Sequence, residues 1–244
     1  MHGVVASQIT RGQQTRCLET SVFFQQRGAT FSERKQHGLM PRNRVITRMA
    51  RVETVFLEQG FIAPDFTLPC PQNDMAEVSL RQDVLKGDTK AVVIMILCNH
   101  CPFVVHLKDA IVDMYHEYHP QGVEFVGISA NSLQTHPQDG PEEMKANGYP
   151  FPYLFDETQE VAKSFNAACT PEFMVFDKDL RLAYHGQFDS SRPSKYGESP
   201  PVSGEDLRGA LDAVLQGKTV PGPWKPSIGC NVKWHPGKEP DWYG

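Results

Sequence analysis

No apolar run in this 244-residue chain approaches the roughly 18 residues that a membrane-spanning helix requires; the longest is the seven residues Ala91 to Leu97. That absence argues for a soluble protein without a membrane partner. Positive charge is scarce beyond the first fifth of the chain. Residues 1–51 hold eight Arg and one Lys against Glu19 and Glu33, about +7, so a total of −5 leaves −12 for residues 52–244. A body this acidic lacks the basic stripe that a phosphate backbone needs, which argues against nucleic acid as a partner. Cysteine is sparse too. Six of them, at 17, 70, 98, 101, 169 and 230, are too few to staple a secreted scaffold of this length, and they suit a reducing compartment with one or two redox-active thiols. There is no second C-x-x-C, no H-x-x-x-H pair and no internal repeat, so no metal and no cofactor is expected.

What is present divides the chain into three. Residues 1–51 are rich in Arg, Gln, Ser and Thr, poor in acids and without a secretory apolar core, the composition of an organellar transit peptide. A second reading is an upstream extension that is disordered or untranslated, with Met40 or Met49 as the start. The location expected is therefore cytoplasmic, or plastid or mitochondrial if the segment is a genuine transit peptide. Residues 52–217 read as one globular domain, since 40% hydrophobic residues suffice for one substantial core. Residues 218–244 lack periodicity but carry Trp224, Trp234 and Cys230, and rings that large imply an ordered tail packed on the domain.

Within the domain, Gly60 to Leu68 suits a short strand and Pro69 to Asp74 a turn, with one or two helical turns over 79–86. Ala91 to Leu97 is apolar at every position, which predicts a strand covered on both faces. Val104, Leu107, Ile111, Met114 and Tyr118 recur at spacings of three and four, predicting a helix to about His119 that Gly122 ends. The strand Val123 to Ser129 then implies a parallel crossover. Pro141 and Gly148 bracket a helix, 157–166 forms another, and 204–217 a last one. Phe173 to Phe176 and Leu180 to Tyr184 flank Asp177-Lys178-Asp179 as an antiparallel hairpin. The class is α/β, with a central mixed sheet flanked by helices.

The chemistry concentrates at Cys98-Asn99-His100-Cys101-Pro102, between the apolar strand and the helix. Two cysteines at this spacing close a small-ring disulfide, and partial positive charge at the helix start stabilises a thiolate on the first sulfur. APDFTL at 63–68, CNHCPFV at 98–104, ACTPEF at 168–173 and IGCNVKW at 228–234 together resemble the thioredoxin-like superfamily, and within it redoxin or AhpC/TSA-type, peroxiredoxin-like proteins. The resemblance covers about residues 55–236. It implies a thioredoxin-like fold with a redoxin-type N-terminal strand, an attacking thiolate on Cys98 exposed at the strand end, and a more buried resolving thiol on Cys101. It also implies a cis peptide before Pro171, facing the dithiol and offering backbone hydrogen bonds to a substrate cysteine, with Thr170 bordering the site; the alternative is an ordinary trans proline starting an edge strand. Asn99, His100 and Pro102 shape the site. A His100 that is charged or donates to the sulfur raises the potential above the thioredoxin end of a scale running from about −270 to about −120 mV.

Cys169 and Cys230 are possible additional redox thiols, though free cysteines usually belong to cores, and Cys17 and Cys70 have no such case. His106, His116 and His119 read as packed or solvated. Glu172 and Asp65 are candidate proton acceptors near Cys101, and Asp189 with Arg192 reads as a loop-holding salt bridge. The function expected is thiol–disulfide exchange with protein or low-molecular-weight thiol partners, regenerated by a dithiol reductant. Three alternatives compete with it. A thiol peroxidase would carry P-x-x-x-[T/S]-x-x-C, but the matching positions are Ala91 and Met95 before Cys98, and Ile94 and Cys98 before Cys101. A copper-binding protein of this fold would add a distal histidine, for which His185 is the candidate. The third is a binding scaffold with incidental cysteines.

Overall fold

The computed structural model describes residues 51–243; the basic extension, apart from Arg51, and Cys17 lie outside the described residues. In chain order the strands and helices are β1 (Arg51–Glu53), β2 (Thr67–Cys70), β3 (Ala76–Ser79), β4 (Ala91–Leu97), α1 (Pro102–Tyr118), β5 (Val123–Ser129), α2 (Pro141–Asn147), β6 (Tyr153–Phe155), α3 (Glu160–Ser164), β7 (Cys169–Thr170), β8 (Glu172–Asp177), β9 (Leu182–Gly186), α4 (Glu205–Leu215) and β10 (Ile228–Asn231). Five strands form the central mixed sheet in the order β6-β5-β4-β8-β9, with β4, β5 and β6 parallel and β8 and β9 antiparallel to their neighbours. β2 and β3 form a hairpin, and β1, β10 and β7 a small antiparallel sheet.

β4 is central, and every residue of it is buried. Alternation along a strand sends successive side chains to opposite faces. Val93, Met95 and Leu97 meet Val104, Leu107, Ile111 and Met114 of α1 together with Leu207 and Leu211 of α4. Val92, Ile94 and Ile96 meet the β2–β3 hairpin, Phe165, Val232 and Trp234. Two cores on two faces explain the uninterrupted apolar run. Gly122 closes the turn after α1 with φ +93°, in the left-handed region that a side chain disfavours.

Several boundaries differ from the sequence pattern. The strand expected over Gly60 to Leu68 begins only at Thr67, as β2, with Ile62 making an isolated bridge to Arg181, because Pro64 supplies no backbone donor there. Residues Leu80–Val84 form one π-type turn, started by the Ser79 hydroxyl accepting the Gln82 N–H. The helix expected over 157–166 shortens to Glu160–Ser164, since Gln159 and Asn166 bracket it at positive φ. Strands β1, β6, β7 and β10 are too short to show periodicity. Among the described residues no helix is long and apolar enough to cross a membrane.

Candidate dithiol site

The site forms where the central strand stops. Cys98 follows β4, and Cys101 is the residue before α1, in extended conformation with φ −64° and ψ 123°. Pro102 takes the first helical position, where a missing N–H costs nothing and the ring presets φ. Both sulfurs meet one residue of β7: Cys98 Sγ lies 3.3 Å from Thr170 Oγ1, and the Cys101 thiol donates to the Thr170 carbonyl at 3.1 Å. The Thr170–Pro171 peptide is cis. Gly222–Pro223 is cis as well, unsignalled by any motif.

One expectation is corrected here. Cys98 is not exposed: its relative accessibility is 2%, and Cys101 has none. The end of a central strand lies under cover, and Cys98 belongs to the buried cluster that includes Tyr149, Tyr153 and Phe103. The electrostatic order also differs from the expected one. Burial opposes a charge on Cys101, but hydrogen bonds from Cys230, from Cys98, from the Val104 N–H in the first helical turn and from Thr170 outweigh it and hold Cys101 low. Cys98 is pushed up, first by its hydrogen bond to Cys101, then by burial and by the charges of Cys101 and Asp139. The helix start thus acts on the second sulfur, which sits at its mouth.

Asp139 is the functional-site residue that sequence reasoning missed. Fully buried, it accepts the Asn99 N–H at 2.8 Å, the Asn131 amide at 2.8 Å and the His100 ring through Nδ1 at 2.8 Å. Burial disfavours its charge, yet the hydrogen bonds from His100 and Asn131, the His100 ring and the Asn99 N–H keep it below the usual carboxylate range. A carboxylate only accepts, so His100 Nδ1 carries the proton and donates. That Nδ1 proton therefore goes to Asp139, and the His100 ring stacks on His136 with centroids 5.2 Å apart. Asn99 pins the same loop, accepting from Asn147 Nδ2 at 2.7 Å and the Tyr153 hydroxyl at 3.1 Å. The only hint in the sequence was Pro137-Gln138-Asp139-Gly140, a turn composition that says nothing about burial.

The AhpC/TSA family model matches residues 60–185. The chain belongs to the AhpC/TSA family. Similar solved structures include an uncharacterized conserved protein from Geobacillus kaustophilus, 49% identical over 77% of this chain and 98% of that one, with a TM-score of 0.72. Another is a hypothetical protein from Sinorhizobium meliloti 1021, 42% identical over 76% of this chain and 99% of that one, with a TM-score of 0.70. A Chlorobium tepidum structure provisionally described as a thiol:disulfide interchange protein DsbE is 16% identical over 66% of this chain and 99% of that one; its TM-score of 0.50 is a likeness of fold alone. A comparison with curated proteins finds no match. The fold of this AhpC/TSA member is thioredoxin-like, with the mixed sheet and flanking helices expected.

The remaining candidates of this AhpC/TSA chain separate into near and far. Cys230, half-buried on β10, packs against the buried cluster that contains Cys101. The hydrogen bond to Cys101 first, then burial and the Cys101 charge, push its thiol up. Cys169 is fully buried, with Sγ 3.8 Å from the Pro171 and Ser227 carbonyls, and burial pushes it up. Glu172 and Asp65 do not serve Cys101. Buried Glu172 accepts the Ala168 N–H at 2.9 Å and pairs with His185 Nε2 at 3.0 Å, while Asp65 lies at the surface beside Arg81. His185 accepts the Leu57 N–H at Nδ1, so both its nitrogens are committed and it is no distal copper ligand. His106 meets Ser191 at 3.0 Å, His116 packs edge-on to Tyr115, and His119 stacks on the same ring. The Asp189 carboxylate accepts the N–H groups of Ser191, Ser203 and Gly204, and Arg192 reaches the Asp189 carbonyl. Ligand atoms of Cys98, His100 and Asp139 lie within 4.8 Å of one another, a grouping that the sequence did not suggest.

Proposed function

We propose that this AhpC/TSA protein exchanges disulfides with protein or low-molecular-weight thiol partners through Cys98 and Cys101, with Asn99, His100, Pro102, Thr170 and Pro171 shaping the site. The observation that carries the reading is the joint anchoring of both sulfurs on Thr170, at 3.3 and 3.1 Å, at the junction of β4 and α1. Cys98 gives up its proton as a partner disulfide arrives, the hydrogen bond to the Thr170 hydroxyl supporting the charge. The Cys98 thiolate then attacks one partner sulfur, and the other leaves as a thiolate and takes up a proton. Cys101 loses its proton and attacks Cys98, closing the Cys98–Cys101 disulfide and releasing the second partner thiol. The partner gains two electrons, the dithiol loses two, and an external dithiol restores it. A reducing compartment, cytoplasmic or organellar, belongs to this reading.

The test incubates the full chain with a disulfide substrate and, separately, with hydrogen peroxide, following oxidation of Cys98. We expect Cys98→Ser to abolish disulfide turnover and Cys101→Ser to accumulate mixed disulfides. Full activity in Cys98→Ser refutes the assignment. A thiol peroxidase is the second reading, favoured by the Thr170 hydroxyl on Cys98; faster oxidation by peroxide than by disulfide would promote it. Stoichiometric retention of a thiophilic metal on Cys98, His100 and Asp139 without turnover would instead promote a metal carrier.

A further inference from the structure

Two sulfurs meet Thr170, a third cysteine lies on the strand paired with it, and only that third residue reaches the surface. Cys230 is half-buried, whereas Cys98 and Cys101 are covered. Cys230 lies directly opposite Thr170 in the pairing of β10 with β7. That residue holds Cys98 through its hydroxyl and Cys101 through its carbonyl. The approach of β10 is unusually close: a Cβ on Gly229 would lie 2.1 Å from the Thr170 carbonyl oxygen, so a residue with a side chain would push the strand away. Glycine at 229 therefore brings Cys230 against the buried cluster that contains Cys101. Cys169, the residue before Thr170, turns its sulfur instead to the Pro171 and Ser227 carbonyls.

Resting on the dithiol reading above, we propose that Cys230 is a third redox thiol that exchanges into the Cys98–Cys101 disulfide. Its sulfur, having given up its proton, attacks the Cys101 sulfur; a Cys101–Cys230 bond forms, the Cys98–Cys101 bond breaks, and Cys98 leaves as a thiolate that takes up a proton. One disulfide replaces another, so the exchange consumes neither oxidant nor reductant. Cys101 cannot bond both partners at once, and the two disulfides exclude each other. The oxidising equivalent thereby moves from a covered strand end to β10, where an incoming thiol reaches it, and Cys98 is free again.

The experiment oxidises the full chain with oxidised glutathione, quenches in acid, alkylates free thiols and maps disulfides by non-reducing peptide mass spectrometry, in wild type, Cys98→Ser, Cys98→Ala and Cys169→Ser. Wild type is expected to show both Cys98–Cys101 and Cys101–Cys230. Both Cys98 variants are expected to show Cys101–Cys230 alone, and Cys169→Ser the wild-type pattern. Cys98–Cys101 in wild type with no Cys101–Cys230 peptide in any of the four proteins overturns the third thiol and leaves the dithiol reading standing. Absence of Cys98–Cys101 from wild type overturns both. Using alanine as well as serine at 98 keeps the result independent of any one variant's folding.

Discussion

Thr170→Val isolates one hydrogen bond to the reacting sulfur. The Thr170 hydroxyl lies 3.3 Å from Cys98 Sγ and favours a charge on Cys101 as well, so its loss weakens the thiolate whichever sulfur carries it. Valine keeps the shape of the side chain. It also keeps the carbonyl 3.1 Å from Cys101 and the register with Cys230. A hydrogen bond to a charged group contributes about 1.5–3 kcal/mol, which for a thiol titrating above neutral pH, as the pushed-up Cys98 does, lowers the thiolate population at fixed pH by about 10- to 150-fold. The more basic sulfur is the better nucleophile, returning about 0.4–0.5 of that loss on a logarithmic scale, so the observed rate should fall by about 3- to 20-fold. Single-turnover reaction of the full chain with a disulfide, followed from pH 5 to 10, reads this directly. The rising limb should move to higher pH in the variant. Superimposable profiles for the two proteins would refute the argument that Thr170 supports the charge.

The other consequences concern the scaffold around the dithiol. Asp139→Ala removes the acceptor for the buried Asn131 amide and the Asn99 N–H, each costing about 1–3 kcal/mol, so urea unfolding should show a loss of about 2–6 kcal/mol; a change below about 0.5 kcal/mol would count against the anchor. Asp139 has a folded-state pKa below its ordinary value. Its stabilisation is therefore fully present above about pH 4 and lost as pH falls through the lowered value. Asp139→Asn should flatten the dependence of stability on pH below about 4, whereas a curve parallel to wild type would contradict that sign. Gly229→Ala forces a Cβ to within 2.1 Å of the Thr170 oxygen, and a cost of about 1–3 kcal/mol should appear as a lower Tm with faster amide exchange in β7 and β10. Unchanged exchange there would mean the strand accommodates the methyl.

Where the sequence carried information, it did so through local periodicity. The unbroken apolar run of β4 demanded two covered faces, and the spacing of Val104, Leu107, Ile111, Met114 and Tyr118 marked the buried side of α1; all five are buried. The hairpin of β8 and β9 was legible from Asp177-Lys178-Asp179 between apolar segments, although its second strand starts at Leu182 because Leu180 sits in the turn at φ +58°. β6 escaped notice since Pro150 and Pro152 crowd a three-residue strand. β7 and β10 have too few residues to establish an alternation, and exist by pairing with each other.

The same division runs through the site. A strand, two cysteines three positions apart and a helix are neighbours along the backbone, so the amino-acid sequence by itself determined the α/β class and the place of the dithiol. Which carboxylate anchors the loop, which sulfur the helix start favours, how deeply Cys98 is covered and which third cysteine faces Cys101 were decided only by tertiary structure. Asp139, Thr170 and Cys230 reach the dithiol from separate loops and strands, through burial and hydrogen bonds between segments far apart in the chain. Side chains brought together by packing leave no repeat in the order of residues, and their chemistry becomes visible only when the chain is closed.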